Sequence, residues 1–260
     1  MRIERKREPV WVRVALSERF RGLFWAQFLG AFSEAFFRRS LLALMVYQGL
    51  AGTKTQENAV LELTFLVFTI PYLLFSATAG QLADKLDKGV LIQRIKIFEI
   101  VVGFVAAAGV LLESVPLSLT ALGLLGVNSA LFHPLKYATI PRLVRESDLI
   151  EAIAAVESGT NLALLLAVSG ALLTAGRGIG PHFWCWVLFL SALLGYFVAQ
   201  MIPPIVSSAP HLQVEWTPFA PTFDAATRAR ETRPVFLSVL GVAWYGMLGA
   251  SLWTVVPFYS

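Results

Sequence analysis

The sequence predicts an all-α membrane protein, and three observations carry that prediction. Of 260 residues, 57% are apolar and only 15% charged, with a mean hydropathy of +0.68; a soluble domain has roughly 45–50% apolar and about 25% charged residues. The apolar residues gather into seven runs, each of about 20 residues or more, the length at which a helix crosses a bilayer. No run alternates apolar and polar residues as a barrel strand would. A soluble monomer of this size has no interior large enough for so much apolar side chain. A soluble enzyme, a disordered chain and a nucleic-acid-binding domain are therefore excluded, despite a pI near 9.4. The single cysteine, Cys185, excludes an intrachain disulfide and a cysteine-based zinc site. Three histidines on separate segments make a poor metal site, so neither metal nor cofactor is expected.

The runs cover 22–48, 58–80, 89–112, 117–141, 149–175, 182–202 and 235–259. The first follows a long basic stretch, is too long for a signal-peptide core and lacks a small-residue cleavage site, so it reads as a retained span. Lys and Arg set the orientation. Arg2, Arg5, Lys6, Arg7, Arg13, Arg19 and Arg21 precede the first run. Lys85 and Lys88 follow the second, Arg142 and Arg145 the fourth, and Arg228, Arg230 and Arg233 the sixth. The loops between hold Lys54 alone, no cation, and Arg177 alone. This alternation puts the N-terminus in the cytoplasm and makes the net charge of +4 mostly a matter of topology. Residues 9–19, with Trp11, are expected to form a short interfacial helix.

The organisation that follows is a basic cytoplasmic N-terminus (1–21), a six-helix transmembrane bundle (22–202), a cytoplasmic linker (203–234) and the start of a seventh transmembrane helix (235–260). Pro203, Pro204, Pro210, Pro218 and Pro221 punctuate the linker, and Trp216 and Phe219 offer it something to bury. The seventh run reaches Ser260 with no polar anchor beyond it, so the chain is expected to be the first half of something larger.

An ionisable residue inside a span costs several kcal/mol and is a functional candidate by default. Gln27, Gly30, Glu34 and Arg38 recur at three- and four-residue spacing, on one face of the first helix. Glu34, near mid-bilayer, lines a cavity or pairs with Arg38 to pack helices; Arg39 points about 100° away. Glu62, Thr69 and Ser76 form a thin polar stripe on the second span, which Pro71 is expected to bend. Lys96 and Glu99, three apart on the third, read as a structural pair. On the fourth, Pro134 lies between His133 and Lys136, the pattern of a broken helix with a cation beside it. His133 itself reads as a packing histidine rather than a proton relay. Glu157, Thr160 and Asn161 open the fifth span. Lys136 and Glu157 lie at similar depth on consecutive antiparallel spans, so they are expected to meet, directly or through a bound substrate.

No P-loop, GxSxG, HExxH or His-x4-Asp signature is present. Gly80-Gln-Leu82-Ala-Asp84-Lys85-Leu-Asp87-Lys88, between the second and third runs, resembles the signature loop of the major facilitator superfamily. In it Gly80 would let helices approach closely, and Asp84 would cap a helix or meet a cation as two halves rock. Phe24-Trp-Ala-Gln-Phe-Leu-Gly-Ala-Phe-Ser-Glu34, Pro134-Leu-Lys-Tyr137 and Leu149-Ile-Glu-Ala-Ile-Ala-Ala-Val-Glu157 are similar to the bacterial lysophospholipid transporters of that superfamily. Arg233–Trp244 is similar to their long form, in which the carrier is fused to an acyltransferase and an acyl-activating enzyme. Three positions depart from that pattern: Glu34-Ala35 replaces an Asp/Asn pair, His133 stands where Gly or Ser is usual, and Ile153 replaces a polar residue.

The resemblance implies the N-terminal six-helix half of a major facilitator fold, multi-pass in a bacterial inner membrane, moving lysophospholipid by alternating access. It implies substrate-binding or coupling roles for Glu34, Arg38, Lys136, Tyr137, Glu157 and Asn161, and a conformational switch at Gly80, Asp84, Lys85 and Lys88. The partners it implies are the bilayer, the lysophospholipid, a C-terminal half absent from this chain and a fused or associated acyltransferase. Two rivals stand beside this reading: a facilitator exporting a drug or metabolite, and a non-transporting anchor that presents lipid to an acyltransferase.

Overall fold

The apolar runs form helices in the computed structural model of the chain, which describes residues 17–47, 54–216 and 220–255. The expected interfacial helix at 9–19 lies almost entirely outside the described residues. The helices are α1 (Arg21–Tyr47), α2 (Lys54–Lys85), α3 (Lys88–Leu111), α4 (Val115–Leu143), α5 (Leu149–Gly176), α6 (Pro181–Ala199), α7 (Ala220–Glu231) and α8 (Arg233–Val255), with a 3₁₀ turn at Glu146–Asp148. No strand occurs among the described residues. The chain divides into two units between Val214 and Glu215. In the first, α2 packs along α4, α1 along α5 and α6, and α3 along α4 and α6; in the second, α7 packs on α8.

Local chemistry sets the ends. Asp87 caps α3, its Oδ1 accepting from the Val90 amide at 3.0 Å, which satisfies one of the orphan donors of a helix start. Pro116 sits in the first turn of α4 and Pro181 begins α6, where a missing N–H costs nothing. The tight α3–α4 turn holds Glu113 at φ 51°, and Gly178 takes φ 66° before α6. The segment read as a cytoplasmic linker, 203–234, contains α7; Trp216, ahead of that helix, is exposed, and Phe219 lies outside the described residues. The anticipated break at Pro134 does not occur. α4 runs unbroken through Pro134 and Pro141, because a proline removes one ladder bond while neighbours stay anchored. Phe132 and Leu135 are buried, and Thr139 Oγ1 donates to the Leu135 carbonyl at 2.7 Å.

Among the described residues, four segments are long and apolar enough to cross a membrane by length and composition: Glu62–Lys85, Val115–Leu143, Glu146–Gly176 and Pro181–Ala199. α1 and α3, with 27 and 24 residues, have the length, but Glu34, Arg38 and Arg39 and then Arg94, Lys96 and Glu99 interrupt their apolar stretches.

The interior of the first unit is layered. One apolar slab joins Phe36 and Leu41 on α1, Val102, Ala106 and Val110 on α3, and Leu122, Ala167 and Trp184. The other joins Phe20, Leu23, Ile92, Leu135, Val156 and Ile202. Between them every helix except α2 places polar or small residues at intermediate depth: Gln27 and Ser33, Lys96 and Glu99, Asn128 and Ser129, Gly159, and Ser191. Of the ionisable residues that depress the hydropathy of α1 and α3, Lys96 and Glu99 are buried, Glu34, Arg38 and Arg39 are partly exposed, and Arg94 is exposed. Close helix contact depends on small residues. α5 turns Ala152, Ala155, Gly159, Ala163, Ala167 and Ala171 inward at three- to four-residue spacing. A Cβ at Gly159 would lie 2.8 Å from the Phe24 ring, and one at Gly126 would collide with the Phe68 carbonyl.

Candidate functional site

The polar face of α1 meets four different helices. Gln27 Nε2 donates to Thr160 Oγ1 on α5 at 2.9 Å. Gly30 faces α3, where a Cβ would stand 2.6 Å from Lys96 Nζ. Glu34 accepts a hydrogen bond from Ser129 Oγ on α4. Arg38 lies 3.6 Å from Glu34 Oε1, and its guanidinium stands 4.6 Å over the Phe68 ring of α2. The two alternatives left open by the sequence are therefore both realised: Glu34 pairs locally with Arg38 and also faces a recess. That recess, about 240 Å³, is lined by Glu34, Phe68, Thr69, Tyr72, Ser129 and His133.

Lys96 and Glu99 form a buried pair at 2.7 Å, as their spacing predicts. Lys96 also stands 5.0 Å from the Phe132 ring centre, a cation–π contact in a dry setting. This pair braces α3 against α1 and α4, away from the recess lining.

The predicted meeting of α4 and α5 is direct. Lys136 Nζ lies 3.1 Å from Glu157 Oε1, and Tyr137 Oη donates to the same oxygen at 2.7 Å. The pair is unequal: the lysine side chain is 1% exposed and the glutamate 43%. The lysine is shielded behind the carboxylate and the phenol, so Lys136 is the one member of the substrate-binding or coupling set that is buried, while Glu157, Tyr137, Glu34, Arg38 and Asn161 are partly or fully exposed. His133 joins the two clusters, its ring 6.0 Å from that of Tyr72 and 6.1 Å from that of Tyr137. Asn161 is exposed on α5; its neighbour Thr160 accepts the hydrogen bond from Gln27 of α1. The second-span stripe contributes only Thr69 to the recess; Glu62 is exposed, and Ser76 Oγ turns back to the Leu73 carbonyl at 3.1 Å.

Three recess residues, Phe68, Tyr72 and Ser129, are not singled out by the sequence. Ser129 stands four residues before His133 and seven before Lys136, one helical face that the spacing displays. Tyr72 follows Pro71, and nothing local in the sequence aims it at His133.

The signature turn differs from expectation in detail. Among the described residues, no atom beyond its own helix backbone and chain neighbours lies within 4 Å of a Cβ built at Gly80, so that glycine marks no close approach there; Gly89 does, because a Cβ there would run into the Pro203 carbonyl. The cap on α3 is Asp87, while Asp84 lies in the last turn of α2 and lends its backbone carbonyl to the Ala209 amide at 2.9 Å. Lys85 closes α2, half-buried. Lys88 is buried rather than exposed to solvent, and its Nζ donates to Ser208 Oγ at 3.0 Å.

Comparison with known proteins agrees with this architecture. The transmembrane secretion effector family, of major facilitator (MFS) type, matches residues 50–259. The lysophospholipid transporter LplT of Enterobacter sp. (strain 638) is 27% identical over 232 residues, covering 87% of this chain and 54% of that protein. LplT of Salmonella heidelberg (strain SL476) is 27% identical over 258 residues, covering 95% and 58%. The chain thus spans about half the length of the curated relatives it matches. On the family match, which takes in most of its helices, the chain belongs to the transmembrane secretion effector family of the major facilitators.

Proposed function

We propose that this chain forms the N-terminal six-helix half of a carrier that moves lysophospholipid across a bacterial inner membrane by alternating access, with its N-terminus in the cytoplasm. The observation that carries the proposal is the accessible polar face built by α1, α4 and α5. Glu34 and His133 line the recess, Arg38 pairs with Glu34 beside it, and His133 also neighbours Tyr137, which bonds Glu157 on α5. A lysolipid head group carries phosphate and, in many cases, an amine. Arg38 offers a cation for the first; Glu34 and Glu157 offer carboxylates for the second. Lys136 can reach a phosphate only if Glu157 turns aside, so Lys136, Tyr137 and Glu157 act as a substrate-responsive cluster and Asn161 extends the same exposed surface. The relatives named as lysophospholipid transporters support the choice of cargo. Gly80, Asp84, Lys85 and Lys88 form the turn that moves as the halves rock, and a polypeptide supplying the second half completes the cavity. A fused or associated acyltransferase would consume the imported lysolipid. The test is uptake of labelled lysophospholipid by vesicles containing the full-length polypeptide. Uptake above empty vesicles that is lost in Glu34→Gln supports the proposal, and no uptake by the wild type refutes it. A family described by secretion also favours a second reading, export of another cargo, which the same vesicles distinguish by the direction of movement.

A further inference from the structure

The segment leaving α6 does not run free. Ile202 and Ile205 are buried in the apolar slab that holds Phe20, Leu23 and Ile92. The chain then lies against the α2–α3 turn in antiparallel sense. The Lys88 amide donates to the Ile205 carbonyl at 3.1 Å and the Ala209 amide to the Asp84 carbonyl at 2.9 Å, so a step of four residues on one segment matches a step of four on the other. The Lys88 amide is one of the orphan donors of a helix start, and the strap supplies its acceptor. Gly89 gives the Pro203 carbonyl the room it needs.

One group in this contact is ill at ease. The Lys88 side chain is 1% exposed, yet its ammonium donates to a neutral hydroxyl, Ser208 Oγ, and among the described residues it makes no ion pair. An ammonium taken out of water without a counter-charge is penalised, and lifting the strap would return it to solvent. The other strap contacts favour the closed state. We infer that residues 203–209 are a releasable strap over the α2–α3 turn, and that Lys88 is the residue that keeps it releasable. The strap closes on backbone hydrogen bonds and on Ile205, and the buried ammonium holds that closure near balance.

The sign of this effect is unusual, since removing a hydrogen-bonded buried lysine should tighten the contact. The experiment is site-resolved hydrogen exchange at the Ala209 amide, measured by NMR on the purified chain in detergent or nanodiscs. Exchange at Ile95, in the core of α3, serves as the check on folding. Lys88→Met, which keeps the stem and removes the charge, is expected to slow Ala209 exchange about tenfold. Lys88→Leu should act in the same direction. Ser208→Ala, which leaves the ammonium without its hydroxyl, and Gly89→Ala, which pushes on Pro203, should each speed it by a similar factor. Unchanged or faster exchange in Lys88→Met and Lys88→Leu would overturn the inference, and so would loss of Ile95 protection in both. Unchanged exchange in Gly89→Ala would show that the strap is not seated as described and would equally overturn it.

Discussion

The inequality between Lys136 and Glu157 yields a prediction that their distance alone does not. Removing one partner of a buried ion pair costs about 3–5 kcal/mol when the survivor is left charged in a dry site. Here the outcome depends on which partner survives. Glu157→Ala strands an ammonium that is 1% exposed and that keeps, among the described residues, the face of the Tyr137 ring, 4.4 Å away. Glu157 is itself 43% exposed, so water screens part of the pair, and the expected loss is about 2–3 kcal/mol rather than the full figure. Lys136→Met strands a carboxylate that water already reaches and that retains the Tyr137 hydroxyl at 2.7 Å; its expected cost is within about 1 kcal/mol. The two substitutions should therefore differ by about 2 kcal/mol, roughly a factor of 30 in the unfolding equilibrium. Adding Lys136→Met to Glu157→Ala should recover most of the loss, because the stranded charge is gone. SDS-driven unfolding of the purified chain, followed by the fluorescence of its seven tryptophans, measures all three. Equal costs for the two single variants, or a larger cost for Lys136→Met, would show that the lysine is not the desolvated partner.

Further outcomes are expected at other positions. Glu99→Ala leaves Lys96 buried beside Phe132 without its carboxylate and should cost about 3–5 kcal/mol, more than any single change at the half-exposed Glu34–Arg38 pair; the same SDS titration checks it. Gly126→Ala drives a methyl into the Phe68 carbonyl and should cost about 1–3 kcal/mol by parting α2 from α4, read as a lowered unfolding midpoint. In vesicles bearing the full-length polypeptide, Lys136→Ala and Glu157→Ala should each abolish lysolipid uptake; recovery of uptake in the double variant would assign the pair a structural role only. In a Cys185→Ala background, a cysteine at Gly178 should react with an impermeant thiol reagent in intact cells, and one at the exposed Val206 only after permeabilisation; equal labelling would overturn the orientation set by Lys and Arg.

Much of this protein can be read along one dimension. Span-length apolar runs determine that the chain is helical and made for a membrane, since backbone polar groups in lipid must be satisfied within the helix. Four such segments keep span-like length and composition in the structure. Pairs on one helix, or on consecutive antiparallel helices at matched depth, were equally legible: Lys96–Glu99, Glu34–Arg38 and Lys136–Glu157 all follow from spacing and from the cost of an unpaired charge. Tertiary structure alone decided the rest. Gln27, Gly30 and Glu34 share a helix face, but whether each meets α5, α3 or α4 depends on how α1 crosses its neighbours. The pattern around Pro134 suggests a break, yet packing on both sides holds α4 continuous. Gly80 and Gly89 look interchangeable in sequence, and only the chain returning from α6, more than a hundred residues later, makes Gly89 the one that must lack a side chain. The same return buries Lys88, which reads as a solvent-facing loop cation. Burial is a property of what comes back to cover a residue, and contacts of long sequence separation leave no periodic trace in the local pattern.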